Sequence, residues 1–443
     1  MYKATFVAAV GGLLFGYDTA VIAGAIGYLQ IRFDLSPAMV GWVASCALIG
    51  CAVGAMLSGT LSDRFGRKKI LFLSAILFAL SSAGIAVPGD LNWFVGFRII
   101  GGLGIGIASM LAPMYITEIA PADKRGRLVS INQLGIVTGI LLIYFVNAGI
   151  AGLHDEAWNV TTGWRWMFGS GVVPSVVFLV LLFSVPESPR WLAQRGKISD
   201  ALAILTKING PAQARTELAG ITDELATESA GSFSELVNTG LRKPLLIGGT
   251  LAIFSQITGI NAIMYYAPEI FKSTGDGSDS ALLQTVLVGV VNLLFTFVAI
   301  KYVDQAGRKK LLLAGSAGMA ICLAVVGLVF YLGMAKGYLV LVFILAYIAC
   351  FALSLGPLTF VVIGEIFPNR VRGQAMSICI FLLWVSVFLV SQFFPILLES
   401  IGSAFTFWFF MGMAVLAFVF VKRAVPETKG KTLEEIDQMW SAN

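Results

Sequence analysis

The chain has 443 residues, 58% of them hydrophobic and 12% charged, with a mean hydropathy of +0.87. Soluble globular proteins carry roughly 25% charged residues, so this composition excludes a soluble enzyme, and its hydrophobicity excludes disorder. The net charge is +5 and the one histidine is His154, which argues against nucleic-acid binding, an imidazole metal site and a histidine proton relay.

Met1-Tyr2-Lys3 leads into an apolar run without a small-residue cleavage site, which reads as a retained first span. Apolar runs long enough to cross a bilayer then recur near 5–28, 39–60, 70–87, 92–115, 129–150, 165–184, 244–268, 282–302, 311–333, 338–362, 374–397 and 404–421. Twelve transmembrane helices are expected, in an all-α, multi-pass membrane protein. Lys3 and the segments 61–69, 122–127, 190–243, 301–310, 370–372 and 422–431 hold 25 of the 30 basic residues. Loops on the other side hold Arg32, Lys272 and Lys336, so the positive-inside rule places both termini and the long central loop in the cytoplasm. The five cysteines, Cys46, Cys51, Cys322, Cys350 and Cys379, lie in the apolar runs without CxxC spacing. Each reads as a small buried hydrophobe, and neither a disulfide framework nor a metal site is expected.

In chain order, span 1 carries Asp18 within Gly16-Tyr17-Asp18-Thr19, and span 4 carries Arg98 within Gly96-Phe97-Arg98-Ile99. Each charge costs on the order of 2.5–3.5 kcal/mol at mid-helix, tolerable when the two face a polar interior and each other. The arginine's approach would hold the carboxylate ionised and its withdrawal would favour protonation, a coupling device. A permanent structural ion pair is the plain alternative.

After span 6, the polar segment 188–242 reads as three or four short amphipathic cytoplasmic helices. Ser199-Asp200 reads as an N-cap, and Ser232-Phe233-Ser234-Glu235 has capping-box spacing. Thr432-Leu433-Glu434-Glu435 repeats the device in the tail. The expected organisation is a six-helix bundle over 1–187, a linker over 188–242, a second bundle over 243–422 and a tail over 423–443.

The two halves repeat each other. Asp63-Arg64-Phe65-Gly66-Arg67-Lys68-Lys69 follows span 2, and Asp304-Gln305-Ala306-Gly307-Arg308-Lys309-Lys310 follows span 8. Glu118-Ile119-Ala120-Pro121 leads to Arg125-Gly126, as Glu365-Ile366-Phe367-Pro368 leads to Arg372-Gly373. Duplication of a six-span unit is a transporter signature, with the substrate between the halves. Each glycine permits a tight turn, and the cations can pair with helix C-termini and with Glu118 or Glu365. Such pairs would latch the cytoplasmic ends of the spans in one state; a plain positive-inside loop is the alternative.

Span 7 carries Gln256, Asn261 and Tyr265, able to share a helical face, with Gly259 and Pro268 permitting a bend. Asn292 lies in span 8 and Gln133 near the start of span 5. Amides and rings without fixed charge suit a neutral polyhydroxylated solute, although amides also bond helix to helix.

At these residues the sequence resembles the sugar porter family of the major facilitator superfamily, which includes bacterial xylose–proton symporters and animal glucose facilitators. The resemblance covers nearly the whole chain. It runs through Gly16-Tyr17-Asp18, Gly59-Thr60-Leu61-Ser62-Asp63-Arg64-Phe65-Gly66-Arg67, Arg98-Ile99-Ile100-Gly101-Gly102, Pro186-Glu187-Ser188-Pro189-Arg190-Trp191-Leu192, Gln256 through Tyr266, and Pro426-Glu427-Thr428-Lys429-Gly430. It implies two pseudo-symmetric six-helix bundles of the major facilitator fold, alternating access, and a hexose or pentose bound between the bundles. Positions matching the family's sugar contacts are Phe15, Gln133, Gln256, Asn261, Tyr265, Asn292, Gly356 and Trp384. Asp18 matches the carboxylate that family symporters use for protons, and Arg98 its partner.

Three departures bear on the sugar site. Phe360 stands where the family usually has a tryptophan, keeping a stacking face but losing an N–H donor. Ser255 replaces the first of a glutamine pair, and Leu383 falls where an amide often precedes Trp384. In addition, Gly171 replaces a second carboxylate of some symporters, which leaves coupling to Asp18.

The sequence thus reads as a proton–monosaccharide symporter of the cytoplasmic membrane, functional as a monomer and not an enzyme. A sugar, a proton and the lipid bilayer are its partners; it needs no nucleic acid, no metal and no cofactor other than the coupling proton. An uncoupled facilitative uniporter and a transporter-like sugar sensor are the alternatives, the latter opposed by the short central loop and tail.

Overall fold

The computed structural model describes residues 2–87, 89–120, 125–227, 241–275, 277–335, 338–367 and 369–429. The described residues are nearly all helical, without a strand. Hydrocarbon offers no partner for backbone N–H and C=O groups, and a helix satisfies them within one segment. Among the described residues, eleven helical stretches are long and apolar enough to cross a membrane. The last runs from Asn369 to Ala424 and is broken at Gly402, whose φ of 77° and ψ of 166° are not helical. It is therefore two helices joined without a loop, which makes twelve crossings among the described residues.

Spans 1 to 5 are the helices Tyr2–Phe33, Pro37–Phe65, Arg67–Ala86, Leu91–Ile119 and Arg125–Ala151. Asp90 begins span 4 as an N-cap, accepting from the Trp93 amide at 2.8 Å. Span 6 opens with a π-turn over Asn159–Gly163 before the helices Trp164–Gly169 and Val172–Phe183.

Two spans expected to be continuous are split. Span 7 consists of Arg242–Ile257 and Ile260–Lys272, separated by Gly259 in the left-handed region at φ 96°. Span 10 consists of Leu339–Leu353 and Leu355–Ile366, broken at Ser354. Spans 8 and 9 are Ser278–Ala306 and Arg308–Tyr331.

The central segment holds the helices Pro189–Gln194, Ile198–Asn209 and Pro211–Thr227, packed on Leu192, Ala201, Leu205, Ala214 and Leu218. Ser188 caps the first, accepting from the Trp191 amide. Ser199 does not cap the second, because that helix begins at Ile198 after Lys197. Ser232–Glu235 and Thr432–Glu435 lie outside the described residues.

The chain forms two compact units. The first comprises Met1–Asp18, Gly50–Gly139 and Gly169–Gly231; the second comprises Thr19–Ile49, Ile140–Phe168 and Ser232–Asn443. Spans 1, 2, 5 and 6 each contribute to both. Small residues set the spacing in each unit, since lipid supplies no hydrophobic drive and close backbone approach must replace it. In the first, a Cβ on Gly50, Gly54 or Gly106 would collide with the facing backbone of span 4 or span 2. In the second, a Cβ on Gly41 would collide with the Gln392 carbonyl, and the Ser45 hydroxyl donates to Gln392 Oε1 at 2.9 Å.

Candidate functional site

The structure brings the two intramembrane charges of the first unit together. Arg98 Nη1 donates to Asp18 Oδ2 at 3.1 Å and to the Asp18 carbonyl at 3.3 Å. The side chains are 2% and 8% exposed. Gly101, one turn beyond Arg98, makes room for Ser81: a Cβ there would sit 2.5 Å from the Ser81 hydroxyl and in ordinary contact with Asp18 Oδ2 at 3.5 Å. Beside Asp18, the Tyr17 hydroxyl hydrogen-bonds the Ser170 hydroxyl at 2.7 Å. Removing one partner from such a buried pair leaves an uncompensated charge, at about 3–5 kcal/mol.

Phe15 and Gln133 belong to this unit, both half-buried, on spans 1 and 5. Next to Gln133, Asn132 is buried against Gly12, and among the described residues its Oδ1 has no hydrogen-bond partner. Sequence reasoning passed over it; the signal was a second amide adjoining Gln133.

The other candidate sugar residues belong to the second unit. Gln256, Tyr265, Asn292 and Trp384 are buried, Asn261 and Gly356 half-buried, and Phe360 is 42% exposed. Gln256 and Asn261 do meet, but not through one helical face as expected. Across the break at Gly259, Asn261 Nδ2 donates to Gln256 Oε1 at 2.5 Å. Gln256 Nε2 donates to the Ser255 hydroxyl at 3.1 Å, which donates to the Ala252 carbonyl at 2.7 Å. Ser255 therefore orients the amide it adjoins. The Tyr347 hydroxyl donates to the Thr258 carbonyl at 3.0 Å, satisfying a backbone group released by the same break.

The repeated loops form matching charge clusters. In the first unit, Arg67 Nε and Nη2 grip Glu118 at 2.9 and 2.8 Å, and Nη1 reaches Asp63 at 2.9 Å. Glu187 accepts from the backbone amides of Arg67 at 2.9 Å and Lys68 at 3.1 Å, capping span 3. Gly66 has φ 99°, and a Cβ there would strike Glu187, so glycine is required twice over. In the second unit, Arg308 Nη2 pairs with Glu365 at 3.1 Å, and Glu427 accepts from the amides of Arg308 and Lys309 at 3.0 and 3.2 Å. Thr428 donates to Glu365 at 2.5 Å, and Gly307 has φ 88°.

Glu187 and Glu427 thus play one role, 240 residues apart, in Pro186-Glu187-Ser188 and Pro426-Glu427-Thr428. This is a third repeated motif. Trp191 Nε1 and Arg195 Nη2 donate to the Asp63 carbonyl, both at 2.8 Å, as Lys429 Nζ does to that of Gln305 at 2.7 Å. The Arg64 carbonyl accepts from Arg195 Nη2 at 3.0 Å, and the Arg64 guanidinium lies 5.2 Å from the Phe65 ring. Arg190 lies half-buried on Pro189–Gln194. The side chains of Arg125, Asp304 and Arg372 lie outside the described residues.

Among the described residues, no group of three or more His, Cys, Asp or Glu is placed to hold a metal. A buried carboxylate–guanidinium pair can exchange a proton when its partner moves, and oriented amides and rings can bind hydroxyls and C–H faces.

The chain is similar to known proteins over nearly its whole length. The family model described as "Sugar (and other) transporter" matches residues 4–440. The arabinose-proton symporter of Bacillus subtilis (strain 168) is 49% identical over 433 residues, covering 98% of this chain and 93% of that protein. The D-xylose-proton symporter of Escherichia coli (strain K12) is 44% identical over 473 residues, covering 99% and 96%. Among solved structures, the proton:xylose symporter XylE bound to 6-bromo-6-deoxy-D-glucose matches with a TM-score of 0.85 at 44% identity, covering 99% of this chain and 98% of the other. The inward open conformation of the xylose transporter XylE from E. coli matches with a TM-score of 0.88 at 42% identity, covering 99% of each. Twelve crossings, duplicated loop clusters and full-length likeness lead to one conclusion: the chain belongs to the sugar (and other) transporter family, with the major facilitator fold, and is not an enzyme.

Proposed function

We propose that this protein is a proton-coupled importer of a neutral monosaccharide, an aldopentose or hexose, working by alternating access in the cytoplasmic membrane. The buried Asp18–Arg98 pair within spans 1 and 4 carries the reading. Proton binding at Asp18 weakens its hold on Arg98 and favours closure around the sugar; sugar and proton then leave to the cytoplasm. Two relatives named as pentose–proton symporters, at 49% and 44% identity, support this assignment.

The sugar contacts Gln256, Asn261, Tyr265, Asn292, Gly356, Phe360 and Trp384, with Phe15 and Gln133. The clusters around Arg67 and Arg308 hold the cytoplasmic ends of the spans in one state and separate in the other. Both termini lie in the cytoplasm, and each chain carries its own pathway, so a monomer suffices.

The test has two arms. Purified protein is screened for binding of xylose, arabinose, glucose, galactose and myo-inositol. The bound sugar is then followed in proteoliposomes, with and without a proton gradient. Gradient-driven accumulation is expected; exchange without accumulation would make the protein a uniporter, and absence of any flux would leave a sensor.

A further inference from the structure

Spans 9 and 10 cross closely along a stripe of small residues in the second unit. A Cβ on Gly315 would collide with the Ser354 side chain, and one on Gly318 would lie 2.5 Å from Cys350 Sγ. As span 9 advances from 315 to 318, its partner retreats from 354 to 350, so the helices run antiparallel. Cys322 stands four residues beyond Gly318 on the same helical face. It is 6% exposed, and the Cys350 sulfur packs against Gly318, one turn away on that face. Tyr347, nearly one turn before Cys350, is fully buried. A glycine-lined crossing brings backbones close, and a disulfide needs Cα atoms about 4.4–6.8 Å apart. The geometry is that of two thiols on facing helices, with Cys350 only half-buried.

Cys350 also sits at a mechanical point. Its carbonyl accepts from the Ser354 hydroxyl at 2.6 Å, in the last turn before span 10 breaks. The helix beyond the break carries Gly356 and Phe360. A link from span 9 to that turn would tether the break.

We propose that Cys322 and Cys350 form an oxidation-sensitive thiol pair, whose conversion to a disulfide ties span 9 to the break in span 10 and slows transport. The oxidant is a membrane-permeant diazenedicarboxamide such as diamide. One thiolate adds to its N=N bond, and the second displaces that adduct as the S–S bond forms. Both S–H bonds break, and the oxidant leaves as the hydrazine, having taken up two electrons and two protons. The effect on flux rests on the transport reading; the covalent step does not.

The full chain in proteoliposomes is treated with diamide and examined by intact mass, peptide mapping and sugar counterflow. The expected result is a loss of about 2 Da with peptides containing Cys322 and Cys350 joined. Counterflow should fall about tenfold and return with dithiothreitol. Cys322→Ala and Cys350→Ala should each retain counterflow and lose both the link and the sensitivity, with the serine variants serving if an alanine variant fails to fold. Free thiols at both positions after treatment would overturn the proposal, as would a complete link that leaves counterflow unchanged. Absence of counterflow before oxidant would count against the transport reading, and the mass readout would still decide the link.

Discussion

Replacing Asp18 by asparagine removes one charge and keeps the shape of the side chain. The carboxylate accepts from Arg98 at 3.1 Å with both side chains almost sealed, so the variant leaves a buried guanidinium without a counter-charge. Breaking such a pair costs about 3–5 kcal/mol. The lower end applies here, because the new amide oxygen and the Asp18 carbonyl at 3.3 Å can both still accept from Arg98. A lower unfolding temperature in a folded protein is expected. The functional effect is separate, since a carboxamide cannot take up the proton. One proton crossing about 100 mV supplies about 2.3 kcal/mol, which converts to a sugar ratio of about 50-fold. In proteoliposomes with an imposed inside-negative potential, the wild type should approach that ratio. Asp18→Asn should stop at equal concentrations while counterflow persists. Accumulation by the variant equal to wild type would refute coupling through Asp18 and make the pair a structural one.

The two loop clusters should differ in strength. Arg67 and Glu118 are 7% and 8% exposed and joined by three hydrogen bonds, whereas Arg308 and Glu365 are 13% and 30% exposed and joined by one. Glu118→Gln should therefore lower stability by about 3 kcal/mol and Glu365→Gln by about 1 kcal/mol. Thermal unfolding in detergent checks the order, and the reverse order would count against the geometry. Phe360→Trp adds an indole N–H donor on an exposed ring and should change the ranking of sugars in a competition assay; an unchanged ranking would remove that ring from the site. Gly41→Ala meets the Gln392 backbone and should destabilise by about 1–3 kcal/mol. Gly96→Ala, with open space around its Cβ, should stabilise span 4 by up to about 1 kcal/mol.

Much of the site was legible because its residues violate the membrane's preferences. Asp18 and Arg98 stand out as charges in apolar runs, and their contact follows from the cost of leaving either alone. Arg67 with Glu118, and Arg308 with Glu365, were readable from a motif that occurs twice. The helix breaks were less so. Gly259 and Pro268 suggested a bend in span 7, but the regular spacing of Gln256, Asn261 and Tyr265 implied one continuous face. Ser354 in span 10 gave no warning, since serine is an ordinary residue in a membrane helix.

The amino-acid order alone determined twelve crossings, a duplicated architecture and the residues with chemistry to offer. Those properties come from local transfer free energies and from motifs readable one residue at a time. Tertiary structure decided that Gln256 meets Asn261 across a break and is held by Ser255. It also decided that Glu187 and Glu427 cap helices by accepting backbone amides, and that Cys350 packs against the glycine stripe of span 9. Each of these depends on how closely two backbones approach, a distance set jointly by residues far apart in the chain and therefore absent from any single stretch of it.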